Sequence, residues 1–258
     1  MWSPPCRTWR SPESEVLVKA CLNGNRSRGE HPRIPFTTGE LARDAEAVAV
    51  AGAGAVHVHP RGSDGLETLE ARSVGRAVRA VREAGRIPVG VTTAGWILPD
   101  PADRVRAVSA WGALDPAERP DFASVNLSEE GVAELCEALL GAGIGVEAGL
   151  ASTGDAAALV TSGLAGRCVR VLVETQESEP GAAVADAAAI DALLDAGGVL
   201  APRLYHGDGP ATWAVIGAAL RQGRDVRIGL EDVLTLPDGS VAADNAQLVA
   251  TALAMVRS

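Results

Sequence analysis

The chain has 258 residues, 47% of them hydrophobic and 3% aromatic, and a formal net charge of −10 from 23 basic and 33 acidic side chains. Its length suits a one-domain α/β barrel of roughly 250 residues, and its excess acid disfavours nonspecific attraction to nucleic acid or anionic lipid. No apolar run approaches the ~18 residues a membrane span needs. Cys6, Cys21, Cys136 and Cys168 form no C-x-x-C pattern, so they read as reduced thiols of a cytoplasmic protein.

Residues 1–15, with Pro4, Pro5 and Pro12, lack the apolar core of a signal peptide and are expected to form a disordered N-terminal tail. A catalytic domain is expected over 16–258. The first strand is predicted at Val16–Leu22, followed by a long polar loop carrying Arg26, Arg28 and His31. Thr37 and Glu40 have the spacing of a capping box, opening a helix to about Ala51 that Gly52 ends. Strand two then delivers His57 and His59.

A helix near Leu69–Ala84 precedes strand three, Ile87–Thr93, and Pro99 and Pro101 introduce the next helix, to about Trp111. Strand four is Phe122–Asn126, the helix Glu130–Leu140 leads to strand five, Ile144–Leu150, and a helix near Asp155–Ser162 precedes strand six, Val169–Glu174. A helix over Ala185–Asp195 precedes strand seven, Val199–Leu204, and a helix from about Ala211 to Arg221 precedes strand eight, Val226–Leu230. The helix Asn245–Val256 closes the series. Strict alternation of this kind makes a parallel sheet with right-handed crossovers, and eight units predict a closed (β/α)8 TIM barrel, single domain. A doubly wound sheet fits less well, because no G-x-G-x-x-G follows the first strand.

Barrel chemistry sits where the strands end. All four histidines fall there or in the loops beyond: His31, His57, His59 and His206. Alternate residues of a strand share a face, so His57 and His59 point together. In Arg227-Ile228-Gly229-Leu230-Glu231 the same period puts Arg227 and Glu231 on one face. Strand one alone separates strands eight and two in a closed barrel, so Glu231 can join the two histidines. Two imidazoles and one carboxylate leave coordination positions open, which is a catalytic arrangement. Each part also has a plainer reading, as hydrogen-bonded histidines, a helix cap or satisfied barrel-end backbone. Their convergence on one mouth favours a site.

The segments Asn23-Gly24-Asn25-Arg26, His31-Pro32-Arg33-Ile34-Pro35, His57-Val58-His59-Pro60-Arg61, Arg227 to Asp232 and Asn245-Ala246-Gln247-Leu248-Val249 together resemble the β-keto acid cleavage enzymes. That family, formerly of unknown function, includes the 3-keto-5-aminohexanoate cleavage enzymes. The resemblance implies a zinc-dependent acyltransferase converting a β-keto acid and acetyl-CoA into acetoacetate and a new acyl-CoA. Carried over by position, His57, His59 and Glu231 are the expected metal ligands. Asp232 is the expected general base and Arg227 its positioning partner. Thr92, Thr93, Ser124, Asn126 and Asn25 are expected at the substrate. His206, with Gly207 and Gly209, is expected in the pocket or against CoA phosphate. A homo-oligomer, dimer or tetramer, is expected on the same ground.

Members acting on a cationic amino-keto acid carry Glu-x-Glu near strand five, where this chain has Glu147-Ala148-Gly149. The missing carboxylate suggests a neutral or anionic substrate. Arg26 and Arg28 are read as solvated, or as contacts for a substrate carboxylate or CoA phosphate. An amidohydrolase would carry histidines after strands five and six, which are absent here. A class I aldolase needs a Schiff-base lysine, and the sole lysine, Lys19, lies early in the first strand. A class II metal-dependent aldolase acting without CoA is the main alternative. The other is a non-catalytic barrel that binds metal or acyl-CoA.

Overall fold

The protein is described from a computed structural model that places residues 16–256; the expected tail over 1–15, with Cys6, lies outside the described residues. The elements in order are β1 (Val18–Cys21), α1 (Thr38–Ala51), β2 (Ala55–Val58), α2 (Ala71–Gly85), β3 (Val89–Thr92), α3 (Pro101–Ser109), β4 (Phe122–Asn126) and α4 (Val132–Gly141). They continue as β5 (Gly145–Leu150), α5 (Thr153–Ser162), β6 (Cys168–Glu174), α6 (Pro180–Ala196), β7 (Arg203–His206), α7 (Thr212–Arg221), β8 (Asp225–Ile228) and α8 (Asn245–Val256). The eight strands pair in sequence order, and β1 pairs in parallel with both β2 and β8, closing the barrel. The α/β alternation thus resolves into the expected single (β/α)8 domain.

Local chemistry sets the helix ends. The Thr37 hydroxyl accepts from Glu40 N at 3.2 Å while the Glu40 carboxylate accepts from Thr37 N at 2.8 Å, and Gly52 stops α1 with φ at +106°. Asp100 caps α3 ahead of Pro101, and Glu179 caps α6 ahead of Pro180, so α6 starts one turn before its predicted boundary. Two strands also differ from expectation. β7 runs Arg203–His206 rather than Val199–Leu204, because Pro202 has no N–H to give the ladder and Leu200 is fully turned to solvent. β8 ends at Ile228, and the residues after it form a turn.

Aliphatic residues such as Val56, Val58, Val89, Val91 and Val146 fill the space between sheet and helices. The barrel interior holds a smaller cluster of Leu17, Ala55, Phe122, Leu172 and Leu204. Gly90 makes room for the Phe122 ring, since a Cβ there would stand 2.1 Å from it. Beside that ring lies a buried charge group. Lys19 is ion-paired to Glu147, Arg170 Nη1 lies 3.4 Å from the other Glu147 oxygen, and Lys19 Nζ is 5.6 Å from the Phe122 centroid. Lys19 is wholly buried. That position and that partner leave no amine for a Schiff base.

Candidate active site

The site is built first from β2. His57 lies in the strand and His59 just beyond it, with ring centroids 5.1 Å apart in an edge-on arrangement. Asn23, from the loop after β1, fixes the second histidine by its backbone. Its Oδ1 accepts from His59 N and its Nδ2 donates to His59 O, both at 2.9 Å. His57 and His59 are 1% and 3% exposed.

Glu231 and Asp232 come from the turn after β8, not from the strand as the two-residue period suggested. Asp232 N and Val233 N both donate to Gly229 O, which folds the chain back and breaks the alternation. Gly229 has to be glycine, because a Cβ would stand 1.8 Å from Cys21 O. Asn245 Oδ1 accepts from Leu230 N at 2.7 Å, and Arg26 Nε donates to Glu231 O at 3.0 Å. The loop arginines are therefore structural: Arg26 braces the turn, and Arg28 pairs with Glu40 at 2.7 Å.

The turn brings Glu231 Oε1 to 3.5 Å from His59 Nε2 and 3.9 Å from His57 Nε2. Glu231 Oε2 has no hydrogen-bond partner among the described residues. The three side chains offer ligand atoms within 4.8 Å of one another, so the donor set fits a divalent ion that favours nitrogen and oxygen. Cys21, Glu231 and Asp232 also cluster within that span, but burial pushes the Cys21 thiol well up and leaves it a poor donor. Arg227 Nη2 donates to Glu231 Oε1 at 2.8 Å and its Nε lies 3.2 Å from Asp232 Oδ1. His206 Nε2 stands 3.0 Å from the same Asp232 oxygen.

These contacts divide the titrating groups. Burial opposes charge on Glu231 and Asp232, yet Arg227 holds both below the usual carboxylate range, helped by His59 and His57 at the first and His206 at the second. Burial lowers His57 to about 3. For His59 the same desolvation is outweighed by Glu231 and Glu67, which push it up to about 9. One buried, ionised carboxylate, Asp232, thus stands beside the candidate ligands without belonging to them.

The side chains open on a cavity of about 480 Å³. Asn25, Thr92, Ser124, Asn126 and His206 line it with the candidate ligands, Arg227 and Asp232. Thr93 does not, since its hydroxyl donates to Ser124 O at 2.7 Å. Gly207 and Gly209 stand behind the wall as well. Gly207 packs against the backbone of Ala211 and Thr212, and Gly209 N donates to Asp232 O at 2.9 Å, while Asp208 between them faces the cavity. His31 is spent on the loop, with Nε2 2.9 Å from Ala242 O and Nδ1 accepting from Arg33 N.

Sequence reasoning missed Glu67, Trp96 and Glu174. Glu67 hydrogen-bonds His59 Nδ1, and Trp96 lies on the cavity wall with its indole N–H on Glu67. Glu174 ends β6, and its Oε2 stands 3.1 Å from where a Cβ at Gly149 would begin. The carboxylate absent from β5 thus has a neighbour on the next strand. The adjacent β5–β6 pairing, with Leu150 opposite Val173, is the only signal that could have found it.

A closed (β/α)8 barrel with two histidines, a glutamate, an ionised aspartate and an arginine at one mouth defines a barrel with a candidate metal-dependent active site. The chain belongs to the beta-keto acid cleavage enzyme family, whose sequence pattern matches residues 15–258. Over 70 residues it is 34% identical to the 3-keto-5-aminohexanoate cleavage enzyme of Fusobacterium nucleatum subsp. nucleatum, a stretch covering 27% of this chain and 26% of that protein. It is 32% identical over 71 residues to the enzyme of the same name from Acetoanaerobium sticklandii, covering 27% and 26%. The matched stretch thus spans about a quarter of the length of each curated relative. A solved ternary complex of ObcA with C4-CoA adduct and oxalate superposes with a TM-score of 0.73 at 15% identity, over 88% of this chain and 64% of that one. That likeness shows a shared fold. No helix among the described residues is long and apolar enough to cross a membrane.

Proposed function

We propose that this chain cleaves a β-keto acid with acetyl-CoA, releasing acetoacetate and a new acyl-CoA, with zinc held by His57, His59 and Glu231. The observation that carries the reading is the placement of Asp232: 1% exposed, hydrogen-bonded by Arg227, with His206 Nε2 3.0 Å away, and next in sequence to a candidate ligand. A divalent ion at that set supplies Lewis acidity to the keto and carboxylate oxygens of the substrate. Manganese, cobalt or nickel suits the same donors.

The chain's own residues supply the proton chemistry. Asp232 takes the α-carbon proton, and Arg227 offsets the negative charge that develops nearby. The electron pair left on carbon attacks the acetyl carbon of the thioester, and CoA leaves as thiolate. That thiolate attacks the keto carbon, the C–C bond beside it breaks to leave the new thioester, and acetoacetate departs after its carbanion takes back the proton held by Asp232. Thr92, Ser124 and Asn126 offer polar contacts along the wall.

The cavity narrows the substrate charge. Among the described residues Arg227 is the one Lys or Arg on the wall and is committed to Glu231 and Asp232, while Glu174 and Asp208 would repel an anion. A neutral tail carrying a hydrogen-bond donor fits best. The chain is further read as a cytoplasmic homo-oligomer.

The test is metal analysis followed by a screen of β-keto acids, with acetoacetate and acyl-CoA as readouts. Consumption that requires both metal and acetyl-CoA supports the reading. Cleavage without acetyl-CoA makes the protein an aldolase, and no turnover across the panel leaves a binding barrel.

A further inference from the structure

Two side chains next to the candidate ligands have no part in the chemistry above. Glu67 uses both carboxylate oxygens: Oε1 hydrogen-bonds His59 Nδ1, and Oε2 accepts the indole N–H of Trp96 at 3.1 Å. The Trp96 ring lies within 19° of parallel to the His59 ring, with centroids 6.4 Å apart. The carboxylate is thus held from two directions, by residues of the loops after β2 and β3.

The segment that presents Glu67 is itself fixed. Arg61 and Glu67 form an antiparallel bridge, Gly62 N donates to Leu66 O at 2.8 Å, and Thr68 N donates to Pro60 O at 3.0 Å. The Arg61 guanidinium donates to Gly65 O, Gly24 O and Arg26 O and lies 4.1 Å from the Phe36 ring centroid. Glu67 therefore projects from a hairpin tied to the loop after β1, not from a free surface loop.

The two histidines are not equivalent. His57 Nδ1 is buried without a hydrogen-bond partner among the described residues, whereas His59 Nδ1 meets an anion. An imidazole whose N–H is donated to a carboxylate has its tautomer and ring rotation set, and its other nitrogen becomes more electron-rich. That other nitrogen is Nε2, the atom 3.5 Å from Glu231.

We propose that Glu67 and Trp96 are positioning residues of the metal centre, Glu67 holding His59 with Nε2 directed at the ion and Trp96 holding Glu67. The inference rests on the metal reading above, but not on the identity of the substrate. A carboxylate that only paired with a histidine for stability would affect melting and leave metal affinity alone, which separates the two roles.

The test uses the purified full chain, stripped with chelator and titrated with Zn2+ against a chromophoric competitor, with Co2+ absorption as the spectroscopic readout. Glu67→Ala is expected to lower metal affinity by about 10- to 100-fold and to shift the Co2+ spectrum, as loss of a ligand's outer hydrogen bond does elsewhere. Glu67→Gln keeps an acceptor for His59 and is expected to lose less. Trp96→Phe leaves the Glu67–His59 bond and is expected to lose least. Metal-free melting temperatures within about 4 °C of the parent show that folding is not the cause. Should Glu67→Ala fail to fold, Glu67→Gln decides the case, with an affinity expected to fall more than about twofold below the parent. Affinities within about twofold of the parent and an unchanged Co2+ spectrum overturn the proposal. A parent that binds no metal, or a His57→Ala variant that binds it as well as the parent, overturns the metal reading and this inference with it.

Discussion

His206 Nε2 lies 3.0 Å from Oδ1 of Asp232, the same oxygen that Arg227 Nε approaches at 3.2 Å. A guanidinium that hydrogen-bonds it and an imidazole close by, from two strands, thus converge on one buried carboxylate, and both favour its ionised form. Asp232→Asn keeps the shape but removes the base, so kcat should fall by about 10²- to 10⁴-fold while bound metal stays at the parental level. His206→Ala should lower kcat by less, because Arg227 still orients the carboxylate. Steady-state rates read beside metal content check both; a near-parental kcat for Asp232→Asn removes the base assignment.

Glu174 meets a second expectation. Its Oε1 stands 3.7 Å from His206 Nδ1, too long for a direct bond, and that nitrogen has no hydrogen-bond partner among the described residues. Both groups line the cavity beside Gly149, so a donor-bearing substrate tail would find an acceptor there. A hydrogen bond to a charged group contributes about 1.5–3 kcal/mol, so Glu174→Ala should raise KM roughly 10- to 150-fold for such a substrate. A β-keto acid with a plain alkyl tail should show little change. Equal effects on both substrates would mean that Glu174 shapes the pocket without reading the tail.

The barrel was legible because its signal repeats: apolar runs alternate with capped, alanine-rich helices from β1 to α8. The site was legible where a strand carries it, as with His57. It blurred where turns take over. Glu231 was placed by strand period, yet the turn at Gly229 delivers it, and no period describes a turn. Thr93 and Gly207 sit at the right depth but face the wrong way, since one hydroxyl is consumed by Ser124 O and one glycine by helix packing. Glu67 left no mark in the sequence and Glu174 only its place at the end of β6, because their importance comes from partners on other loops and strands.

Lys19 and Glu147 give a stability prediction. Burial opposes the Glu147 charge, but Lys19 and Arg170 lower it to about 2. A depressed carboxyl stabilises the fold above its unfolded value near 4.3 and loses that contribution as pH falls toward 2. Lys19→Met leaves Glu147 buried with one longer-range partner and should cost about 3 kcal/mol at pH 7. The cost should shrink near pH 4, where protonation of the stranded carboxyl becomes easy. Denaturant unfolding at the two pH values checks this, and a cost that does not vary with pH would assign the loss to packing.

Asp44 should behave in the opposite sense. Burial raises its carboxyl to about 6, and Asp244 adds to the shift, while the Asn245 amide and Arg33 pull it down. The group keeps its proton in the fold at pH values where the unfolded chain, near 3.9, has lost it. Its contribution therefore favours the fold increasingly as pH falls from 6 toward 4, and above 6 the buried charge costs on the order of 2 kcal/mol. Asn245 connects this charge to the site, since its Nδ2 donates to Asp44 at 2.6 Å and its Oδ1 holds Leu230 N in the turn before Glu231. Asp44→Asn retains an acceptor for Asn245 and removes the charge. It should raise the melting temperature at pH 8 by about 2–6 °C, and the gain should shrink as pH falls below 6. Melting curves of both proteins at pH 5 and pH 8 decide it; an equal gain at both would show that charge burial is not the cause.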